Sequence, residues 1–359
     1  MVSLGNFGDE CIFLLGAGAS ANANVPISVG LNKNIYDRID ESSTEGSKQK
    51  RLVNYILGSV YFYRGLNNKN PGRAPVNMEE VVSALRQIRR RDEAFVSAFV
   101  GSWHEKIRSF SEEFLQRFED DLTQWIAQEL DHGADHETEY LQWFAKLREE
   151  HSTNLNIFTL NHDLTVETAL DTYGVNYCTG FDFKENGEGK WDPGLFDPGI
   201  GRAPINLYKL HGSLGWIKDE DTQEVTASKV HYPADPHLMI FGMLEKVTVE
   251  EPFFELVKRF KELSRNASLI VVLGYSFNDE HVNSILFDSL RVESGKRLLI
   301  VDLRPDKILQ RLEDEYAADI NFSLIETLSK GYEMQDLFET SVLEEKIEEL
   351  MEELAETPF

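Results

Sequence analysis

Apolar residues fall in two rhythms along the chain. Near the N-terminus a short run, residues 12–15, stops at glycines and small polar residues. Between about residues 51 and 150 the spacing is helical. Met78, Val81, Val82, Leu85 and Ile88 recur at three- and four-residue steps, and Phe110, Phe114, Leu115, Phe118, Leu122, Trp125 and Ile126 continue the pattern. From residue 155 the short runs return at 155–160, 205–210, Leu269–Leu273 and Arg297–Val301, with 322–325 a candidate edge strand. Helical stretches at 164–173, 253–263, 280–291 and 306–317 separate them. Fully apolar runs alternating with helices predict an α/β fold, a doubly wound and mostly parallel sheet. A large helical insertion lies between its first and second strands. Leu31, Ile35 and Ile39 predict one further helix. Residues 41–49, 67–75 and 131–138 read as breaks, and 180–202, rich in Gly, Pro, Asp and Asn, as a long irregular loop. The expected division is a core of 1–40 and 151–330, a helical insertion over 41–150 and a C-terminal segment over 331–359. Within that segment 333–356 is predicted as one acidic amphipathic helix, striped by Leu343, Ile347, Leu350, Met351 and Leu354. Such a helix packs on its own domain or serves a partner.

Length and charge narrow the picture. The 359 residues suffice for one large domain with an insertion. No apolar run is long enough for a membrane span, and the N-terminal residues lack a signal-peptide pattern, so a cytoplasmic protein is expected. A formal net charge of -26 disfavours binding nucleic acid over a broad face. Cys11 and Cys178 are the only cysteines, which suits a reducing compartment and leaves no four-cysteine zinc module.

The candidate chemistry sits where strands end. The five best strand candidates run into Gly16, Gly18 and Ser20; Asn161 and Asp163; His211 and Ser213; Gly274 and Ser276; and Asp302. In an open parallel sheet ligands bind outside these carboxyl ends, so the five sets are expected to line one crevice. Gly16, Gly18 and Ala21 fit the relaxed pattern G-x-G-x-x-G/A, in which a phosphate approaches backbone at a helix start. Gly274 and Ser276 offer a second close approach and a hydroxyl, Asp302 an acceptor for ribose hydroxyls, and Asn161 an amide. His211 is the strong general-base candidate, since an imidazole titrates near neutrality. Each has a plainer reading: Asn161 as a turn residue, His211 as a loop histidine, Asp163 as a helix cap. Asn278 or Asp279 is expected to cap the helix at 280. Asp131, His132, Asp135 and His136 have metal-ligand spacing but read better as a solvated helix boundary. Arg86, Arg89, Arg90 and Arg91 read as a solvated face. His231, Asp235 and His237 form a loop near the site. Trp191 and Trp216 can stack on a base, though packing is the commoner use.

Together these segments resemble the sirtuin (Sir2) family. GAGAS (16–20) is similar to its first NAD motif, TLNHD (159–163) to T-x-N-x-D, LHGS (210–213) to its catalytic His-Gly motif and GYSF (274–277) to Gly-x-Ser. VDL (301–303) falls at the adenosine-contacting strand end. The resemblance implies a Rossmann-like core, Asn161 and His211 as catalytic residues, and Gly16, Gly18, Ser20, Asp163, Gly274, Ser276 and Asp302 around NAD. The departures carry weight too. The zinc cysteines of deacylating sirtuins have no counterpart in 214–268, so no zinc is expected. NVPISVGL (24–31) replaces the usual Gly-x-Pro-x-Phe-Arg, and the helical block is larger. These features resemble bacterial SIR2-like NAD hydrolases of antiphage defence, most of all the subunit that pairs with a HerA-type ATPase. That likeness implies cleavage of NAD, as substrate, to nicotinamide and ADP-ribose by a homo-oligomer. An NAD-dependent protein deacylase and a non-catalytic NAD- or ADP-ribose-binding assembly subunit are the alternatives.

Overall fold

β1 (Cys11–Leu15) pairs along its whole length with β10 (Leu269–Leu273) on one side and with β2 (Leu155–Thr159) on the other, both parallel. Beyond β2 come β6 (Ile205–Lys209) and the two-residue β3 (Tyr177–Cys178); beyond β10 come β11 (Arg297–Val301) and β12 (Ile325–Leu328). The seven-stranded order is β12-β11-β10-β1-β2-β6-β3, parallel throughout. Without the short edge strand β3 this is the Rossmann order 3-2-1-4-5-6, and it reverses between β1 and β10. The computed structural model describes residues 10–66, 76–89, 107, 109–131, 137–151, 153–197, 203–219, 221–229, 237–239, 250–292, 295–316, 320–329 and 333–356.

Every residue of β1, β2, β6 and β10 is buried, as a sheet covered on both faces requires. Alternate side chains feed two cores. Cys11, Phe13 and Leu15 enter one with Leu269, Val271 and Leu273, while Ile12, Leu14, Ile270 and Val272 enter the other. The first core is shared with the helices between β1 and β2: α1 (Ser28–Arg38), α2 (Thr44–Leu66), α3 (Met78–Arg89), α4 (Glu112–Leu130) and α5 (Trp143–His151). Phe13 meets the rings of Trp143 and Phe144 edge-on at 5.9 and 5.4 Å. Between β2 and β12 lie the helices α6 (Thr165–Tyr173), α7 (Phe253–Asn266), α8 (Glu280–Val292) and α9 (Pro305–Tyr316). Among the described residues no helix is long and apolar enough to cross a membrane.

Three expectations are corrected. Residues 180–202 are not one irregular loop. They hold β4 (Phe181–Phe183), β5 (Glu188–Trp191) and a 3-10 turn, Pro193–Phe196. With β7 (Gly212–Lys218), β8 (Val225–Ser228) and β9 (His237–Met239) they build a five-stranded antiparallel sheet, order β4-β5-β8-β7-β9. β4 and β5 are too short to show alternation. Their signal was Asn186-Gly187 at the turn, with Gly187 at φ 81°. Aromatic side chains bind the sheet's inner face, with Phe181 5.3 Å from Trp191 and 5.0 Å from Trp216. Both tryptophans therefore pack here.

The second correction is at the C-terminal end, where 333–356 form two helices, α10 (Met334–Glu339) and α11 (Val342–Glu356). Thr340 is extended, its hydroxyl donates back to Asp336 O, and Ser341 bonds the Glu345 carboxylate. Hydroxyl residues that bond locally favour such breaks. Leu343, Ile347, Leu350 and Met351 are buried in the first core, so the stripe packs on its own domain. His151 Nε2 lies 3.2 Å from Glu344 Oε1, joining α5 to α11. Asn22 also ties this segment to the start of the chain: its amide donates to Glu333 Oε2 (2.8 Å) and accepts from Gln335 N (3.1 Å). The edge strand expected at 322–325 lies at 325–328, after a 3-10 turn.

Phe338 is wedged among Tyr140, Trp143 and Phe144 at ring distances of 5.6, 5.5 and 5.9 Å. Phe338→Ala is expected to lower the unfolding free energy by about 3–5 kcal/mol, read by urea denaturation. A loss below about 1 kcal/mol would mean that α10 is not part of the core.

Candidate functional site

The chain leaves β1 at Gly16 and enters a 3-10 helix, Ala17–Ala23. Gly16 N donates to Leu273 O and Gly18 N to Gly274 O, both at 2.9 Å, so the loops after β1 and β10 touch through backbone at the switch point. A Cβ on Gly18 would stand 2.8 Å from Gly274 Cα, and one on Gly274 2.4 Å from Ala19 N. Gly274 also has φ +61°, where a side chain is strained. Hence the glycines at 18 and 274 are needed for packing against each other. The amides of Gly18 and Ala19 are taken by Gly274 O and Gly16 O.

Above this contact lies a buried polar group. Asn161, two residues past β2, donates both amide hydrogens inward, to Gly16 O (3.0 Å) and Ser20 Oγ (2.9 Å). Its Oδ1 is thereby set as an acceptor. Ser20 Oγ lies 3.2 Å from Asp163 Oδ1 and 2.9 Å from Thr165 Oγ1. Asp163 Oδ1 also accepts from Thr165 N and Oγ1, at 3.1 and 2.5 Å. The N-cap of α6 is Leu164, and Asp163, one residue before it, ties the first residue of the helix to the Ser20 loop. Tyr140 donates to Ala19 O at 2.7 Å; burial, reinforced by the Asp163 charge, pushes its phenol above the ordinary range. Lys209, the last residue of β6, is buried and donates to Asp163 O and to Glu167 Oε1 (2.8 Å). Burial raises the Glu167 carboxyl, and Lys209 opposes that rise. Thr165, Tyr140, Lys209 and Glu167 were not among the expected site residues. Only Lys209, a charge inside the apolar run INLYKL, carried a visible signal.

His211 follows β6 on the same edge, its ring 6.2 Å from that of His162, the neighbour of Asn161. Its Nε2 lies 3.1 Å from Asp279 Oδ2, and both side chains are nearly enclosed, at 9% and 6% exposure. Of the two expected caps of α8 the structure selects Asp279, whose Oδ1 accepts from His281 N and Val282 N. The structure thus joins Gly16, Ser20, Asn161 and Asp163 by hydrogen bonds and seats Gly274 against Gly18. Ser276 is exposed, its carbonyl accepting from Arg311. Asp302 is half-buried at the end of β11, its carboxylate accepting from Arg304 N at 2.9 Å. Neither takes part in the bonds that join Asn161 to Ser20. Ser213 is buried in β7.

Other candidates resolve differently. Arg86 and Arg89 bond the buried Glu119 at 2.7 and 2.9 Å, so these two are not a solvated face. Arg90, Arg91, His132, Asp135, His136, His231 and Asp235 lie outside the described residues, and Asp131 ends α4. His237 begins β9.

Residues 155–325 match the family model of the SIR2-like domain. The match starts at β2 and ends at β12, so it covers Asn161, Asp163, His211, Gly274, Ser276 and Asp302 but not the glycine turn after β1. No curated protein matches the chain in sequence. Similar solved structures include a Sir2 homologue–NAD complex, 12% identical, covering 96% of this chain and 89% of that one at a TM-score of 0.41. An ADP-ribose complex of a Sir2 homologue mutant is also 12% identical, over 97% and 94%, at 0.45. A Sir2 enzyme structure is 12% identical, over 98% and 94%, at 0.42.

Gly274→Ala introduces both a positive-φ side chain and a backbone clash. It is expected to destabilise the chain by about 2–5 kcal/mol in urea, and an unchanged midpoint would contradict the loop contact. Lys209→Met tests the buried pair. Because burial holds Glu167 above its unfolded value, the native state favours its neutral form, and stability falls as pH rises through the folded-state range. Without Lys209 that fall continues to higher pH. The variant is expected to lose about 3–5 kcal/mol at alkaline pH and less at acid pH, where Glu167 takes up a proton. An equal loss at both would show that charge is not what Lys209 supplies.

Proposed function

We propose that the chain is an NAD glycohydrolase that cleaves NAD to nicotinamide and ADP-ribose. The observation that carries this reading is the Asn161–Gly16–Ser20 bonding at the β1–β2 strand ends, with His211 on the next strand along. The SIR2-like match over 155–325, which spans both Asn161 and His211, supports it.

In this reading the pyrophosphate lies over the glycine turn at the Rossmann switch point, and Ser20, itself buried, bonds Asn161 and Asp163. Ser276 offers an exposed hydroxyl, and Asp302 a carboxylate acceptor for ribose hydroxyls. Cleavage breaks the bond between nicotinamide nitrogen and ribose C1′ through an oxocarbenium-like transition state, with the charge character of glycoside hydrolysis. Asn161 Oδ1, fixed by its two donated hydrogen bonds, accepts from the attacking water or a ribose hydroxyl. His211 takes the proton that water loses as its oxygen bonds to C1′. Nicotinamide leaves neutral, so NAD and water yield nicotinamide, ADP-ribose and one proton.

Turnover of NAD without an acylated co-substrate suits an effector that depletes NAD in prokaryotic antiphage defence. In this reading the chain works in the cytoplasm as a homo-oligomer beside a HerA-type ATPase.

The test follows nicotinamide and ADP-ribose after adding NAD to the purified chain, alone and with the ATPase. Asn161→Ala and His211→Ala are each expected to lower turnover by roughly 10²–10⁴-fold. Turnover only with an acylated peptide would replace the reading by a deacylase. NAD or ADP-ribose binding without turnover under either condition would replace it by a binding subunit.

A further inference from the structure

β10 and β6 are not neighbours: β1 and β2 lie between them, so their ends stand about 14 Å apart at ordinary strand spacing. Yet Asp279, past β10, and His211, past β6, meet at 3.1 Å, both nearly enclosed. Asp279 is held independently of the histidine. Its Oδ1 is committed to the first turn of α8 through His281 N and Val282 N. Tyr275 OH accepts from Asp279 N (3.1 Å) and donates to Asn283 Oδ1 (2.9 Å), and Asn283 Nδ2 donates to Phe277 O. One carboxylate oxygen anchors the helix and the other is left on a rigid mount directed at the imidazole. Beside the pair lies a pocket whose wall includes Leu210, Phe253, Val257, Phe260 and Ile285. His281 is the other titratable group in that wall, and His162 stands across the ring. Largely apolar surroundings strengthen a charge-assisted hydrogen bond.

The geometry points to Asp279 as the positioning residue for His211, a role that rests on the NAD-cleaving reading above. A carboxylate accepts and does not donate, so Nε2 of the neutral imidazole carries the hydrogen and Nδ1 is its basic nitrogen. Asp279 fixes ring and tautomer, and Nδ1 is the atom that takes the proton from water. As Nδ1 becomes protonated, the carboxylate stabilises the imidazolium. Because Asp279 lies on the far side of β1 and β2, formation of the pair also requires the loops after β6 and β10 to be in register over the crevice.

Asp279→Asn separates this role from helix capping. Asparagine caps a helix about as well as aspartate, so α8 keeps its N-terminus. Its Oδ1 keeps the capping bonds, and its NH₂ faces Nε2 as a donor, which forces the hydrogen to Nδ1. The experiment records ¹⁵N spectra of histidine-labelled protein at a pH where the ring is neutral, with His211 assigned by loss of its signal in His211→Gln. NAD turnover is measured on the same samples. Wild type is expected in the Nε2–H tautomer and Asp279→Asn in the Nδ1–H tautomer. The variant's kcat is expected to fall roughly 10²–10⁴-fold, with KM changed less than about threefold. An unchanged tautomer overturns the proposal, and so does a switched tautomer with unchanged kcat. Absence of turnover in wild type would fail the hydrolase reading, whereas the pairing itself is read from the spectrum.

Discussion

The backbone contact between the loop after β1 and the loop after β10 is the constraint on which the rest of the site depends. Gly18 N on Gly274 O leaves no room for a side chain on either glycine. It is made at the point where strand order reverses, the one place in such a sheet where neighbouring loops diverge and leave a crevice. Closing the floor of that crevice through backbone fixes where Gly16 O sits. Gly16 O in turn holds the Asn161 amide, and Asn161 and Asp163 hold Ser20. The polar group is therefore built outward from main chain.

Much of this was legible in sequence, for physical reasons. β10 and β11 are apolar because both of their faces are covered, and such runs leave few other readings. The polar residues at strand ends stand out because they interrupt those runs. What was not legible has equally specific causes. Thr165 looks like an ordinary helix residue until Asp163 and Ser20 are seen on either side of its hydroxyl. The approach of Asp279 to His211 crosses two intervening strands, so no local pattern encodes it. β4 and β5 pair only three and four residues long, below the length at which alternation shows. Arg86 and Arg89 looked solvated because their partner, Glu119, comes from a different helix.

The helices between β1 and β2 do more than cover one face. Their apolar side chains lie in the same core as Phe13 and Leu15, and Tyr140, just ahead of α5, reaches Ala19 O in the loop itself. The Ser20 loop is thus held from below by β10, from one side by Asp163 and Thr165, and from the other by Tyr140. With contacts on three sides it is a poor candidate for a moving lid.

The order of synthesis gives the Asn22 contacts another meaning. The loop after β1 is among the first parts of the fold to be made, yet Asn22 bonds Glu333 and Gln335, and Tyr140 packs on Phe338. Those partners are translated after every strand of the sheet. A nascent chain can therefore form β1, the helical block and the remaining strands while this loop still lacks its last supports. The loop's bonds to Glu333 and Gln335 can therefore form only after the residues of the whole sheet have been made.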